Sequence, residues 1–194
     1  MIPPIFTKFV ELLDEFPEIG PRQAWRLFFW LLRQESGKRR QFFELFKTLS
    51  DQVSHCTICY FPAIGEMCHI CADVKRDHSR LCIVARETDV LTIENSKKYK
   101  GRYFVLGGLM LPYEKRDDIS KRLQDLPKKL KNIKTVLLAL PFTREAEPTA
   151  QEVERVLKHI PHIKIIKPQK GIPQGGEIEF LDPETLQEAL FKQE

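Results

Sequence analysis

The amino-acid sequence predicts a multi-part α+β protein built from four consecutive parts. Three observations support this prediction: helical periodicity in the first 54 residues, two Cys-x-x-Cys pairs directly after it, and short apolar runs that alternate with helix-sized segments further along the chain. The chain has 194 residues, of which 42% are hydrophobic and 30% charged. This length and composition are typical of a soluble globular protein with a well-buried core.

Residues 1–54 are predicted to form three helices, because apolar residues recur at spacings of three and four, as a buried helix face requires. The three runs are Ile5, Phe9, Leu12, Leu13 and Phe16, then Ala24, Leu27, Phe28, Leu31 and Leu32, and last Phe42, Phe43, Leu45, Phe46, Leu49 and Val53. Gly20 followed by Pro21 suits the start of the second helix. Core packing accounts for most of the aromatic residues, and a second apolar face could contact a neighbouring subunit.

Residues 55–78 contain a cysteine cluster with the spacing C-x2-C-x8-C-x2-C. Its members are Cys56, Cys59, Cys68 and Cys71. Two such pairs can turn four sulfurs toward one point, and a closed four-thiolate shell favours one structural Zn2+ per chain. An iron–sulfur cluster and redox-active dithiols are the alternatives. His55 and His69 beside the cluster are predicted to be exposed loop residues, and Cys82 is predicted to be a small buried hydrophobic residue.

The cysteine usage and the N-terminal segment predict a cytoplasmic protein. The number of cysteines, 5, is odd, and MIPPIFTKFVELLDEF lacks the apolar centre of a secretion signal. No run approaches the roughly 20 apolar residues of a membrane span. Thiols stay reduced in the cytoplasm, so clustered cysteines there indicate a metal rather than disulfides.

Residues 79–168 are predicted to form an α/β domain with a mainly parallel sheet. Strands that are each followed by a helix-sized connection indicate such a sheet with covering helices. The predicted strands are LCIVA at 81–85, YFVL at 103–106, TVLLAL at 135–140 and IKII at 163–166. Residues 169–194 form a short C-terminal segment.

The net charge of +4 is unevenly distributed. Between Asn95 and Lys134 there are 12 basic and 4 acidic residues, a local charge of +8. From Gly175 to Glu194 there are 6 acidic residues and one lysine, a local charge of −5. The basic stretch is either a solvated helix face or a phosphate-binding surface, and the charge count alone does not decide between them.

The stretch FPEIGPRQAWR joins the first two helices through a short turn. The unpaired backbone N–H groups at a helix start, assisted by the helix dipole, can bind a phosphate. Arg22 and Arg26 are four residues apart, so both guanidinium groups project from the same helix face. The alternative is an ordinary helical hairpin with two surface arginines.

Four motifs follow one another in a fixed order. FPEIGPRQAWRLFFWLL precedes the cysteine cluster, LCIVARETDVLTIENSKKYKGRYFVLGGLMLP follows it, and GIPQGGEIE lies near the end. Together they resemble the family of the bacterial recombination mediator RecR over essentially the whole chain. The resemblance implies a helix-hairpin-helix domain at 1–54, a four-cysteine zinc finger at 55–78, a Toprim-like domain at 79–168 and a C-terminal oligomerisation segment at 169–194.

The resemblance also implies a non-enzymatic, DNA-binding protein of recombinational DNA repair. RecR-like proteins assemble into rings, commonly tetramers, and work with RecO and sometimes RecF to load RecA on single-stranded DNA coated by SSB. The implied partners are therefore DNA, RecO-like and RecF-like proteins, and further copies of the chain in a dimer or tetramer, with no membrane. The family's DNA-binding positions fall on Gly20, Arg22 and Arg26. Its zinc ligands fall on the four clustered cysteines.

The sequence departs from the family pattern at several positions. Glu18 stands where the hairpin usually has its first glycine, and an acidic side chain there repels phosphate. Ala85, Pro141 and Thr143 occupy the positions where Toprim enzymes carry the carboxylates that bind Mg2+. Without these ligands, the chain is predicted not to be an enzyme.

Three charged residues of the Toprim pattern, Arg144, Glu145 and Glu147, are retained. They either stabilise a helix start or contact a partner protein. Two alternative functions stay open at this point. One is a protein–protein adaptor with weakened DNA binding, suggested by Glu18 and the acidic C-terminal segment. The other is a phosphoryl-transfer enzyme with relocated carboxylates, such as Glu87, Glu145 and Glu147.

Overall fold

The fold is described from a computed structural model, which covers residues 2–111, 116–160, 162–168, 171–172, 175–187 and 189. The chain divides into two compact units, Met1–Val53 and Ser54–Glu194. The first is helical, and the second combines a cysteine-rich loop with a parallel sheet and helices. The predicted multi-part α+β architecture is thus confirmed.

The helical unit contains α1 (Pro4–Asp14), α2 (Pro21–Arg33) and α3 (Ser36–Gln52). As predicted, α2 begins with Pro21 directly after Gly20. Helices α1 and α2 pack together, and the Phe28 ring lies 5.0 Å from the ring centre of Phe6 and 6.0 Å from that of Phe9. The buried residues of this small core are Val10, Leu13, Ala24 and Phe28.

The predicted buried face of α1 is wrong in part. Ile5 is 73% exposed, and Leu12 and Phe16 are also exposed, while Val10 is buried. The buried stripe is turned by about one residue, because the Phe28 ring packs against Phe6 and Phe9.

Helix α3 forms where the third apolar run predicted it, but none of its residues is buried. Its large apolar side chains are exposed: Phe42, Phe43, Leu45, Phe46 and Leu49. The helical unit therefore presents an apolar surface that its own core does not use.

The second unit begins with the cysteine loop, which we define as residues 55–72. Two short strands, β1 (Val53–His55) and β2 (Pro62–Ile64), pair with each other, and the short helix α4 (His69–Ala72) follows. The sequence patterns did not predict these three elements, because each spans only three or four residues.

The rest of the second unit alternates strands and helices. The elements are β3 (Asp77–Val84), α5 (Glu87–Asn95), β4 (Gly101–Val105), α6 (Asp117–Lys129), β5 (Thr135–Ala139), α7 (Glu147–Lys158), β6 (Lys164–Ile166) and the short helix α8 (Pro183–Leu186). Strands β3 to β6 form one sheet in the order β4-β3-β5-β6, and every pair is parallel. The predicted parallel sheet is confirmed. Strand β3 begins earlier than the apolar run suggested, because its first four residues are polar.

The two faces of the sheet carry different parts of the core. Along β3, Leu81 and Ile83 point into a cluster with α6 and α7, whereas Cys82 and Val84 point into a cluster with the cysteine loop and α5. This alternation follows from the two-residue period of a strand. Cys82 is fully buried, as predicted. The cysteine loop is therefore packed against one face of the sheet.

Among the residues that the structure covers, no helix has the length and apolar character needed to span a membrane.

Candidate metal centre and nucleic-acid interface

The four predicted metal ligands come together in the structure. All four cysteines are buried, and their sulfur atoms lie within 4.8 Å of one another. The sulfurs of Cys59 and Cys68 are 3.5 Å apart. His55 and His69 are exposed, as predicted, and do not belong to the group, but they lie at the end of β1 and the start of α4 and not in a loop. Such an arrangement of sulfurs can bind one metal ion.

Local hydrogen bonds turn each Cys-x-x-Cys pair inward. In the first pair, the Cys56 carbonyl accepts a bond from the N–H of Tyr60, whose backbone is left-handed with φ 65. In the second pair, Cys68 caps α4, and its sulfur accepts the N–H of Cys71 at 3.5 Å. These turns direct the four sulfurs toward one another.

The thiols differ in how readily they ionise. Burial alone would raise the pKa of Cys56, but hydrogen bonds from the backbone N–H groups of Cys68, Cys59 and Ile58 outweigh it and lower the pKa to about 7. Burial raises the pKa of Cys68 to about 11. A hydrogen bond with Cys71, together with burial, raises the pKa of Cys59 well above its usual range. Four thiolates this close together repel one another, and a bound cation would favour their ionised form.

The cysteine loop is fastened to the sheet and to α6 by polar contacts. The Tyr60 hydroxyl donates to Asp125 at 2.7 Å, and the Arg122 guanidinium lies 4.9 Å from the centre of the Tyr60 ring. The Cys59 carbonyl accepts the N–H of Val105 on β4 at 2.9 Å. Burial, followed by the bond to Asp125, raises the pKa of Tyr60 to about 12. No local sequence pattern indicates these contacts, because 65 residues separate Tyr60 from Asp125.

The predicted DNA-binding residues lie at the start of α2. Gly20 is the N-cap in an extended conformation, and its carbonyl accepts the N–H of Ala24 at 3.0 Å. Arg22 and Arg26 are both exposed, one helical turn apart. In the described part of the chain, neither arginine forms an ion pair with a carboxylate. Both guanidinium groups are available to an external anion.

A cleft of about 510 Å3 lies where β3, β4 and β5 end. It is lined by Ala85, Pro141 and Thr143, which stand where Toprim enzymes carry carboxylates, and its acidic side chains are Asp89 and Glu145. Glu87 and Glu147, proposed as relocated ligands, are not part of its lining. In the described part of the chain, the cysteine cluster alone brings three or more potential metal ligands together.

The two carboxylates of the cleft accept hydrogen bonds from nearby groups of the chain. Asp89 accepts the N–H of Arg86 at 2.8 Å at the start of α5. Hydrogen bonds from its own backbone N–H and from the Thr143 hydroxyl lower the pKa of Glu145. Sequence reasoning missed Asp89, although an acidic residue in a first helical turn is a recognisable capping signal.

The three retained Toprim residues lie at one helix start. Arg144 and Glu145 belong to a short 3₁₀ turn, and Glu147 is the first residue of α7. Glu147 accepts a hydrogen bond from Gln151 at 3.3 Å. All three are exposed. This position suits a structural role of the acids at the positive end of the helix dipole and also leaves the side chains accessible.

Comparison with known proteins agrees with this architecture. Residues 79–166 match the family described as Toprim domain, and residues 171–190 match the family described as RecR, C-terminal. The chain is 34% identical to the recombination protein RecR of Chloroflexus aurantiacus over 188 residues, which cover 95% of this chain and 91% of that protein. This chain belongs to the RecR family. RecR of Synechococcus elongatus is 33% identical over 95% of this chain and 92% of its own length, and RecR of Nocardia farcinica is 32% identical over 93% of both.

Membership of the RecR family assigns the chain to recombination. RecR proteins are recombination mediators and not enzymes, which agrees with the residues of the cleft. An alanine methyl group, a proline ring and a single hydroxyl cannot supply the hard oxygen ligands of a catalytic Mg2+ site.

Proposed function

We propose that this RecR protein is a sequence-independent DNA-binding scaffold of recombinational repair. The observation that carries the proposal is the pair of exposed arginines, Arg22 and Arg26, on α2 directly after the Gly20-Pro21 turn. Side chains of this kind neutralise phosphates and release counterions, so binding depends on salt and not on sequence. The hairpin belongs to a helix-hairpin-helix domain with proposed bounds 1–54.

The ion of the cysteine cluster is proposed to be one structural Zn2+ per chain. The residues fit it: four buried sulfurs within 4.8 Å of one another are the soft, closed donor set that zinc prefers. When bound, zinc would supply a fourfold cross-link to a zinc finger with proposed bounds 55–78. The Toprim-like domain, with proposed bounds 79–168, would hold this finger through Tyr60 and Cys59.

The protein is further proposed to assemble into a ring, as a dimer or tetramer. The exposed apolar side chains of α3 support this, because the helix buries none of its residues within its own chain. Residues 169–194 are proposed as the second oligomerisation segment. Joining several copies multiplies weak DNA contacts through effective concentration.

The partners are proposed from the family resemblance. The ring would work with RecO-like and RecF-like proteins in the cytoplasm and help to load RecA on single-stranded DNA coated by SSB. Arg144, Glu145 and Glu147 are proposed as a partner contact, because they are exposed together at the start of α7.

The proposed DNA contact is tested by replacing both hairpin arginines, Arg22→Ala and Arg26→Ala. We expect roughly tenfold weaker binding to gapped DNA at low salt and a log–log salt slope smaller by about 2, since two phosphate contacts are lost. The matched control removes two positive charges from exposed positions of α3, Lys38→Ala and Arg40→Ala, and should bind nearly as the unchanged protein does. Gel-shift titration at several salt concentrations measures both.

A protein–protein adaptor is the second candidate, because Glu18 places a negative charge in the hairpin turn. A pull-down with a RecO-like protein separates the two functions. Capture of this partner by a protein that DNA–cellulose does not retain at low salt would favour the adaptor. If the arginine double variant bound DNA as tightly as the unchanged protein, the DNA contact would have to lie outside the hairpin.

A further inference from the structure

A second group of basic side chains lies at the edge where the strands of the parallel sheet begin. We call it the amino-edge cluster, and it consists of Arg80, Lys97, Lys98, Lys100, Arg102, Lys134 and Lys164. It lies at the end of the sheet opposite the cleft, which is lined by residues that follow the strands. It also lies in a different unit from the hairpin arginines.

The sheet register brings these residues to one edge. On β4, Gly101 pairs with Asp77 at the start of β3, and Arg102 pairs with Leu81. The Lys100 carbonyl accepts the N–H of Asp77 at 2.8 Å. On the other side of β3, Lys134 donates its N–H to Ser79 and accepts that of Lys164. The four strand starts thus place residues that are far apart in sequence side by side.

In the described part of the chain, the cluster carries more positive charge than its nearby acids, Asp77 and Glu94, can balance. None of the seven residues forms an ion pair with a carboxylate in the part that the structure covers. Six are exposed, and only Arg102 is half-buried. The nearby acids are bonded to other residues: Glu94 pairs with Arg76, and Asp77 accepts hydrogen bonds from Ser79 at 2.9 and 2.7 Å. Their remaining attraction, of Asp77 for Arg80 and of Glu94 for Lys100, acts without an ion pair.

Two arginines of the cluster are held in place. The Arg102 guanidinium donates to Nδ1 of His78 at 2.9 Å, since arginine has no acceptor. The Arg80 guanidinium lies 5.7 Å from the centre of the Tyr99 ring, whose hydroxyl donates to the Arg102 carbonyl at 3.0 Å. A Cβ at Gly101 would clash with the Tyr99 ring and the Arg80 carbonyl. These contacts hold the two arginine side chains and the backbone around Gly101 in place, next to the lysines of the cluster.

Helix capping does not account for the cluster. Lysines after a helix end stabilise the negative end of its dipole, and Lys97 and Lys98 after α5 fit that role. The other five residues are not at helix ends. Arg102 and Lys164 lie at the starts of β4 and β6, and Lys100 and Lys134 directly precede β4 and β5. Arg80 pairs with Thr135, the first residue of β5. Within the chain, the positive charges of these five residues therefore repel one another. A negatively charged ligand would remove this repulsion.

The surroundings of the cluster favour a phosphate backbone as the ligand. No large apolar side chain is exposed in residues 76–80, 97–102 or 131–134, so the apolar centre of a protein interface is missing. Tyr99 is only 9% exposed, so no aromatic ring is available to stack on unpaired bases. A polar, strongly positive surface without stacking groups is typical of duplex DNA binding.

We propose that the amino-edge cluster is a second DNA contact, which binds the phosphates of duplex DNA without reading its sequence. This inference rests on the proposed DNA-binding function and adds a surface outside the hairpin.

The experiment compares two double variants of the full chain that each lose two positive charges. Lys100→Gln with Lys134→Gln changes the cluster, whereas Lys38→Gln with Lys121→Gln changes exposed lysines in α3 and in the first half of α6, neither of which forms an ion pair in the described part of the chain. For a duplex of mixed sequence, we expect the cluster variant to bind roughly tenfold more weakly and to lose about 2 from the salt slope, equally on a second sequence. The control should bind within twofold of the unchanged protein, and thermal melting should be the same for all three.

The outcomes separate the two proposals. If the unchanged protein binds no DNA, both the proposed function and the second contact are wrong. If Arg22→Ala with Arg26→Ala weakens binding but the cluster variant behaves like its control, only the second contact is wrong. A loss confined to single-stranded DNA, or to capture of an acidic protein, would likewise overturn the duplex assignment.

Discussion

Glu18 is one of the non-glycine residues with a left-handed backbone. Its φ of 64 lies in the left-handed region, which costs a residue with a Cβ roughly 1–2 kcal/mol relative to glycine. It stands two residues before Gly20 at the position where the family hairpin usually has a glycine. The backbone strain and the negative charge both lie in the turn that is proposed to bind phosphate. Two different substitutions of Glu18 can separate the effect of the strain from the effect of the charge.

Two substitutions of Glu18 have different expected effects. Glu18→Gly should raise the free energy of unfolding by about 1 kcal/mol, because relief of the left-handed strain exceeds the added flexibility of the unfolded chain. Glu18→Gln keeps the strain, so its stability should stay within about 0.5 kcal/mol of the unchanged protein. Both remove the negative charge and should strengthen DNA binding a few-fold at low salt. Urea unfolding and gel-shift titration measure the two effects, and a destabilised glycine variant would contradict the strain argument.

At the residue scale, the sequence predicts chemistry better than conformation. The four cysteines could be assigned as metal ligands because their spacing and sulfur chemistry are local properties. The left-handed backbone of Glu18 and Tyr60 could not be predicted, because neither residue type indicates such a conformation. The bond from Tyr60 to Asp125 depends on tertiary packing, which no local pattern encodes.

Among the elements, the cysteine loop is the one whose stability we expect to depend on a bound metal ion. Its two strands have three residues each, and its helix has four. Elements this short are not stable by propensity, so we expect their order to come from the proposed metal ion and from packing on the sheet. Cys59 belongs to both, since its sulfur lies in the cluster and its carbonyl accepts the N–H of Val105.

Removal of a metal ligand should unfold the loop while the sheet persists. Cys59→Ala is expected to lower bound zinc from about one ion per chain to almost none, because three sulfurs leave the closed shell incomplete. The amides of Cys56 and Thr57, bonded within the loop, should lose hydrogen-exchange protection, whereas those of β5 keep it. Cys82→Ala is the matched control and should retain the metal, since Cys82 is buried in β3 outside the cluster. Full zinc content in the Cys59 variant would refute the four-ligand site.

Strands could be predicted more closely than helix faces. Leu81 and Ile83 lie on one side of β3 and Cys82 on the other, because a period of two leaves only two choices of face. On α1 the predicted stripe missed Val10 and included Ile5, which is exposed. When a helix has apolar residues on several faces, its sequence does not decide which face is buried. Here α1 buries the face that packs against the Phe28 ring.

At the scale of the whole molecule, both units present surface that their own cores do not use. The helical unit carries the hairpin arginines and the exposed apolar side chains of α3. The second unit carries the amino-edge cluster at one end of its sheet and a cleft without catalytic carboxylates at the other. A scaffold has use for both kinds of region: apolar surface can join copies, and unpaired charge can bind backbone phosphates.

Assembly through α3 is the last expectation that follows from this distribution. Phe42, Leu45, Phe46 and Leu49 are spaced by three, one and three residues and therefore form one stripe along the helix. Phe42→Ser with Phe46→Ser should break the assembly into smaller species in light scattering. The fold of the single chain should survive, because α3 buries none of its residues.

Loss of assembly should weaken DNA binding far more than loss of one phosphate contact does. Joined copies gain roughly 100-fold or more in affinity from effective concentration, and the α3 variant should lose that gain on a long duplex but not on one too short for two chains. The control, Phe142→Ser, removes an equally exposed ring from the second unit and should leave both size and affinity unchanged. An α3 variant of unchanged size would show that this stripe does not join the copies, because its polar hydroxyls could not replace an apolar contact.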